Sequence, residues 1–280
     1  MMLFFQQWRG ELLKLFARRR TYLGFGAFVL LQTVLFLLFK KFGFPAQRFI
    51  AGSGENVDYY LSALTVASFV MSLSIFLLGA LFLTLVAGDI VAKEEEDGHM
   101  RLLLARPVSR FRLLFLKYLT CTCYTIFLVQ FHAWSSFLLG VILRGWGGGF
   151  FAVVPEVSVV VFYEWSTGLQ KYATSCMALG FSMTVISSFA FCLSCFRIKP
   201  AAATIIALFY MLVDFILRTS GFMEHYEHLL ITKHMASWGY LLAETVDWPL
   251  ALRGFTVLGA VNITLFTLGY AVFESRDLKS

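Results

Sequence analysis

Charge is what this sequence has least of. Asp, Glu, Lys and Arg make up 14% of its 280 residues, against 59% hydrophobic ones, and the mean hydropathy is +0.76. A soluble domain of that length needs a charged skin, so a soluble enzyme or binding module is excluded. Cysteine is sparse, and all five (Cys121, Cys123, Cys176, Cys192 and Cys195) fall inside apolar runs. That placement excludes a disulfide framework in the outer loops. Cys192 and Cys195 have the spacing of a metal or redox pair, but in lipid they read as small polarisable packing residues. A phosphate loop is missing as well: "GWGGG" (Gly145 to Gly149) lacks the Lys and the Ser or Thr that must follow. Nucleotide hydrolysis is therefore not expected on this chain, and neither is a cleavable signal peptide.

What is present is long apolar sequence. A spanning helix needs roughly 20 apolar residues to cross a core about 30 Å thick. Six stretches qualify, at about 21–39, 61–91, 110–143, 173–196, 201–217 and 251–273. Such uniform runs satisfy their backbone only as helices, so the fold class is an all-α polytopic membrane protein with six transmembrane helices in a single domain, 1–280. Ahead of them, residues 1–20 place Leu12, Leu13, Leu15 and Phe16 against Arg9, Lys14 and Arg18 to Arg20. This is the pattern of an amphipathic helix lying in the interface.

The charge that exists is distributed unevenly. Six spans put both termini on one side. The segments on that side hold Arg9, Lys14, Arg18 to Arg20, Lys93, Arg101, Arg106, Arg110, Arg112, Arg197, Lys199, Arg276 and Lys279. The opposite loops balance eight bases against eight acids, so nearly all of the net charge of +6 lies with the termini. The positive-inside bias makes the termini cytoplasmic. Anionic lipid accounts for the basic side, and nucleic acid is not needed as a partner.

The densest charge sits in one loop, 92–112. "KEEEDG" (Lys93 to Gly98) is followed by an amphipathic turn in which Met100, Leu103 and Leu104 share a face. Pro107 forces Arg106 out of helical geometry, and Ser109 is placed to cap a new helix that begins with Arg110 and Arg112. An apolar stripe rimmed with charge, on a piece too short to own a core, has the form of a docking surface.

Glu94, Glu96, Gly98, Leu102 to Leu104, "PVSR" (Pro107 to Arg110) and Lys117 resemble the signature of ABC-2 type transporter permeases. "RIKPAAA" (Arg197 to Ala203), the tail "FESRDLKS" (Phe273 to Ser280), the six-span plan and the interfacial helix extend the likeness over nearly the whole chain. His99 stands where that family usually has Thr or Ser, and Glu95 where a basic residue is frequent. The resemblance implies a coupling helix between spans 2 and 3, seated in a cleft of a separate cytoplasmic ATP-binding subunit. Its contacts would be Glu94, Glu96, Gly98, Met100, Leu103, Leu104, Pro107, Ser109 and Arg110. It implies ATP and Mg on that partner and no cofactor on this chain. It also implies a second permease copy or a paralogue, and an exporter in a bacterial plasma membrane.

Polar residues at membrane depth are candidates for lining a pathway: Asp214, Gln32, Gln130 and Asn262, with His132 beside them. Pairing of Asp214 with Arg218 and interhelical hydrogen bonding are the alternatives. His225, His228 and His234, with Glu224 and Glu227, could approach a metal but match no tight motif, and an interfacial amphipathic segment is the better reading. The second functional class is a stand-alone secondary transporter or channel. It would need an internal repeat with broken helices at a midplane site, and neither is visible.

Overall fold

Apolar runs in hydrocarbon have to pair their backbone groups internally, and here they do so almost entirely as helices. The computed structural model describes residues 2–45, 47–98, 109–154, 159–220 and 224–275. Helix α1 (Met2–Ala17) and helix α2 (Arg19–Phe42) meet at Arg18, whose extended backbone (φ −81°, ψ 125°) turns the interfacial segment into the first span. The corner is tied down twice. Thr21 Oγ1 donates to Leu15 O at 2.6 Å, and Tyr124 Oη donates to Thr21 O at 3.1 Å.

Two short helices, α3 (Gln47–Gly52) and α4 (Val57–Tyr60), lead into a long helical stretch. It consists of α5 (Ala63–Ser74), one π turn (Ile75–Gly79) and α6 (Ala80–Glu96). Helix α7 (Arg110–Arg144) starts as expected at Ser109, whose hydroxyl accepts from Arg112 N at 3.3 Å. Among the described residues five helices are long and apolar enough to cross a membrane: α2, α7, α8 (Trp165–Ser194), α9 (Pro200–Thr219) and α11 (Trp248–Glu274). The sixth apolar run is the α5–α6 stretch, which the π turn divides. Between α9 and α11 lie a 3-10 turn (Glu224–Leu229), helix α10 (Ile231–Met235) and a second 3-10 turn (Ala236–Leu242).

Helix α8 is the hub, the most enclosed of the five, and it packs against α6, α7, α9 and α11. Close approach elsewhere rests on glycine. A Cβ on Gly140 of α7 would come within 2.8 Å of Ala63 O, and one on Gly88 of α6 within 2.7 Å of Thr204 Oγ1.

Two expectations change. The loop between α7 and α8 contains an antiparallel hairpin, β1 (Phe150–Val154) and β2 (Val159–Tyr163), with Phe150 opposite Tyr163. The all-α class therefore carries one small sheet. Helix α8 also begins at Trp165, ahead of the expected 173. Lys171 is accommodated locally at this end of the helix: its ammonium donates to Ala243 O at 2.6 Å and lies 5.7 Å from the Tyr163 ring centre.

Candidate functional site at the charged end of the bundle

The helix ends nearest the 92–112 loop converge, and charge joins them. Lys117, about two turns into α7, is fully buried, with its side chain 0% exposed. An ammonium cannot remain ionised in such a place without anionic partners. It has two. Its Nζ donates to Glu11 Oε2 at 2.9 Å and meets Glu94 Oε2 at 2.6 Å, the second an ion contact outside hydrogen-bond geometry. Lys14 adds a contact to Glu11 Oε1 at 2.6 Å, one helical turn along α1, and Arg18 reaches Glu94 Oε1 at 3.5 Å. Beside this cluster Arg20 Nη1 bonds Asp89 Oδ2 at 3.0 Å.

Burial alone would push the Glu11 carboxyl upward. Lys117, through its charge and its hydrogen bond, together with Lys14, outweighs that and holds it below the ordinary carboxylate value of 4.5. The interfacial helix, the end of α6 and the start of α7 are thereby pinned to a single ammonium. On the other flank, Arg110 Nη1 donates to Glu274 O at 2.8 Å and ties the start of α7 to the end of α11.

Of the expected partner-contact residues, Met100, Leu103, Leu104 and Pro107 lie outside the described residues. Glu96 is exposed, and Gly98 ends α6 with φ +74°, a left-handed conformation that glycine adopts without cost. Ser109 caps α7, and Arg110 is partly exposed. Glu94 needs correcting. It is 6% exposed and turned inward to Lys117 and Arg18, so its carboxylate is part of the bundle and not of an outward surface.

Sequence reasoning missed Glu11 and Asp89 as members of this site and kept Lys117 only as part of a signature. The signal was available. A lysine inside an apolar run demands an acid, and Glu11 is the acid of the interfacial helix while Asp89 closes the second run.

The four candidate pathway residues do not come together. Gln32 is fully buried, and its Nε2 donates to His132 O at 2.8 Å and to the ring Nδ1. Its Oε1 accepts from Ser135 Oγ at 3.0 Å. With Nδ1 accepting, the His132 proton sits on Nε2 and points to Ser74 Oγ at 2.8 Å, whose hydroxyl in turn donates to Val70 O at 2.6 Å. Gln130 Nε2 donates to Cys176 O at 2.7 Å, and Asn262 Nδ2 donates to Thr184 Oγ1 at 2.9 Å. Each of these side chains joins two helices. Asp214, 5% exposed, accepts from the amides of Ile231 and Thr232 at 3.3 and 2.7 Å, so it caps α10. None of the four lines the cavity of about 450 Å³ at the opposite end of the bundle.

In the 224–234 segment, His234 Nε2 bonds His228 O at 2.9 Å and Lys233 pairs with Glu227, whose carboxyl that hydrogen bond lowers. No group of three potential metal ligands exists among the described residues. The five cysteines are free thiols.

Two comparisons bear on this arrangement. The profile of a family described as "ABC-2 family transporter protein" matches residues 9–214, which takes in the second half of the interfacial helix, the charged cluster and the spans up to Asp214. The uncharacterized protein YhcI of Bacillus subtilis (strain 168) is 27% identical over 221 residues, which cover 76% of this chain and 69% of that one.

Proposed function

The chain belongs to the ABC-2 family of transporter proteins and is a permease component of a membrane transporter, and from that premise we propose that it forms the substrate pathway of an ATP-driven exporter. A separate ATP-binding subunit, carrying ATP and Mg, drives it through the 92–112 loop. The charged end faces the cytoplasm of a bacterium, in line with the basic bias of its segments. Two copies, or one copy with a paralogue, complete the pathway.

The observation that carries the reading is the buried Lys117, held between Glu94 at the root of the loop and Glu11 of the interfacial helix. A force applied to the loop is passed at once to α6, α7 and α1, because separating any of them leaves a buried charge alone. A loop that served only to stay in water would need no such anchor.

The test is co-expression with the ATP-binding subunit. The pair purifies as a stable complex, and Glu96→Lys combined with Gly98→Val lowers the ATPase stimulation that the wild-type permease gives. Full transport by the chain alone, insensitive to ATP depletion and driven by an ion gradient, would sink the reading in favour of a secondary transporter.

A further inference from the structure

A smaller pocket, of about 280 Å³, opens where α2 and α7 end, away from the charged cluster. Its floor is apolar. Phe36 and Phe44 are 4% and 3% exposed there, and Val66 and Leu143 lie beside them. Its rim is basic. Lys40, in the last turn of α2, and Arg144, the last residue of α7, both line it and both are exposed. Gln47, which opens α3, adds a side-chain amide. No acid lines the pocket among the described residues.

A cation at a helix C-terminus is favoured by the dipole, and that accounts for one basic residue at each helix end. It does not account for two of them on one pocket, where like charges repel. Other lysines towards this end of the bundle have found partners. Lys41 lies 5.4 Å from the Phe42 ring centre, Lys171 donates to Ala243 O, and Lys233 pairs with Glu227. Neither Lys40 nor Arg144 has an ion pair or hydrogen bond among the described residues, so the ammonium and the guanidinium fork keep all their donors. Donors of that kind, charged and uncommitted, match the oxygens of a phosphate. The ends of two membrane-length helices lie at the level of lipid headgroups, where basic pockets between spans take anionic heads.

We propose that this pocket binds the phosphate head of one anionic phospholipid, in the leaflet away from the charged cluster, with its oxygens on Lys40 and Arg144 and its chains in the surrounding bilayer. The site does not depend on ATP coupling, so it stands or falls apart from the transport reading. Full-length protein, stripped of lipid in detergent, is titrated with phosphatidylglycerol and separately with phosphatidylcholine of the same chains. Bound lipid is counted by native mass spectrometry. Two paired variants are compared: Lys40→Gln with Arg144→Gln, and Lys41→Gln with Arg48→Gln. The second pair removes the same charge from the same end without touching the pocket lining. All four side chains are exposed, so neither pair disturbs the core.

The expected result is a first site that takes phosphatidylglycerol several-fold more tightly than phosphatidylcholine. The Lys40 and Arg144 pair loses one tightly held phosphatidylglycerol per chain, and the Lys41 and Arg48 pair retains it. Retention by both pairs would overturn the proposal. So would equal loss in both, since the cations would then act as diffuse surface charge only. Glycerol phosphate, the head without its chains, is expected to compete only at far higher concentration than the lipid. Displacement at equal concentration would assign the pocket to a soluble phosphate and overturn the lipid as its occupant.

Discussion

Replacing Lys117 by Met tests the charged cluster most directly. The substitution conserves side-chain length and removes only the ammonium. What remains is Glu11 and Glu94, with side-chain exposures of 11% and 7%, facing each other across the vacated position. Lys14 and Arg18, 48% and 30% exposed, compensate only partly because water screens them. Breaking a buried pair by removing one partner costs about 3–5 kcal/mol. At about 2 °C per kcal/mol for a chain of this size, the midpoint of thermal unfolding falls by about 6–10 °C. The assay is a thermal melt of purified protein followed by tryptophan emission at neutral pH. The triple variant Glu11→Gln, Glu94→Gln, Lys117→Met carries the sharper test. With all three charges gone no ion is left unpaired, and most of the lost stability returns. A Lys117→Met protein that melts with the wild type would refute the claim that this ammonium is held by the two acids. A triple variant no better than the single one would refute the claim that unpaired charge is what costs.

The acid side of the stability profile follows from Glu11. Its folded carboxyl lies below 4.5, so its contribution is complete above that value and is lost as pH falls through the lower folded value; melts recorded at decreasing pH should show this decline flattened in Glu11→Gln. Gln32→Leu leaves Nδ1 and the carbonyl of His132 without their donor and costs about 1–3 kcal/mol, read from a melt, with Ser74→Ala costing less. Asp214→Ala removes the cap of α10 and costs about 0.5–2 kcal/mol. Its signature is local: hydrogen exchange accelerates at Ile231 and Thr232 while transport is retained. Loss of transport with unchanged exchange would return Asp214 to the pathway.

Most of the helical frame could be read from apolar run length, because hydrocarbon leaves a run of 20 such residues one choice of structure. The cap at Ser109 and the break near Arg18 were equally legible, since each depends on a local rule. The hairpin was not. "FFAVV" and "VVVFY" (Phe150 to Val154 and Val159 to Tyr163) read as lipid-facing sequence, and only their pairing with each other and the bridge from Leu61 to Phe150 make them a sheet. The site was half visible for a related reason. A charged loop announces itself, but the contact of Glu11 with Lys117 joins residues 106 positions apart, and no spacing rule reaches that far. Asp214 shows the converse: an acid at membrane depth could serve a pathway or pair with Arg218, and the structure gives it two amides of a segment folded over the helix end as partners.

The π turn at Ile75–Gly79 has a consequence for how the permease tolerates change. Each residue of a regular helix advances it by about 100°, and a wide turn of this kind takes up one extra residue while keeping the inward face of α6 in phase with that of α5. The upper half keeps its phase with the His132 clamp through Ser74, and the lower half keeps its phase with Lys117 through Glu94. Deleting one residue between them would make the helix regular and leave every neighbouring contact chemically possible. Because the wide turn holds one residue more than a regular turn over nearly the same rotation, Glu94 would stay close to its ammonium. Length is thus fixed less strictly at this turn than elsewhere in the α5–α6 stretch, where losing one residue would carry Glu94 about a quarter of a revolution away from its ammonium.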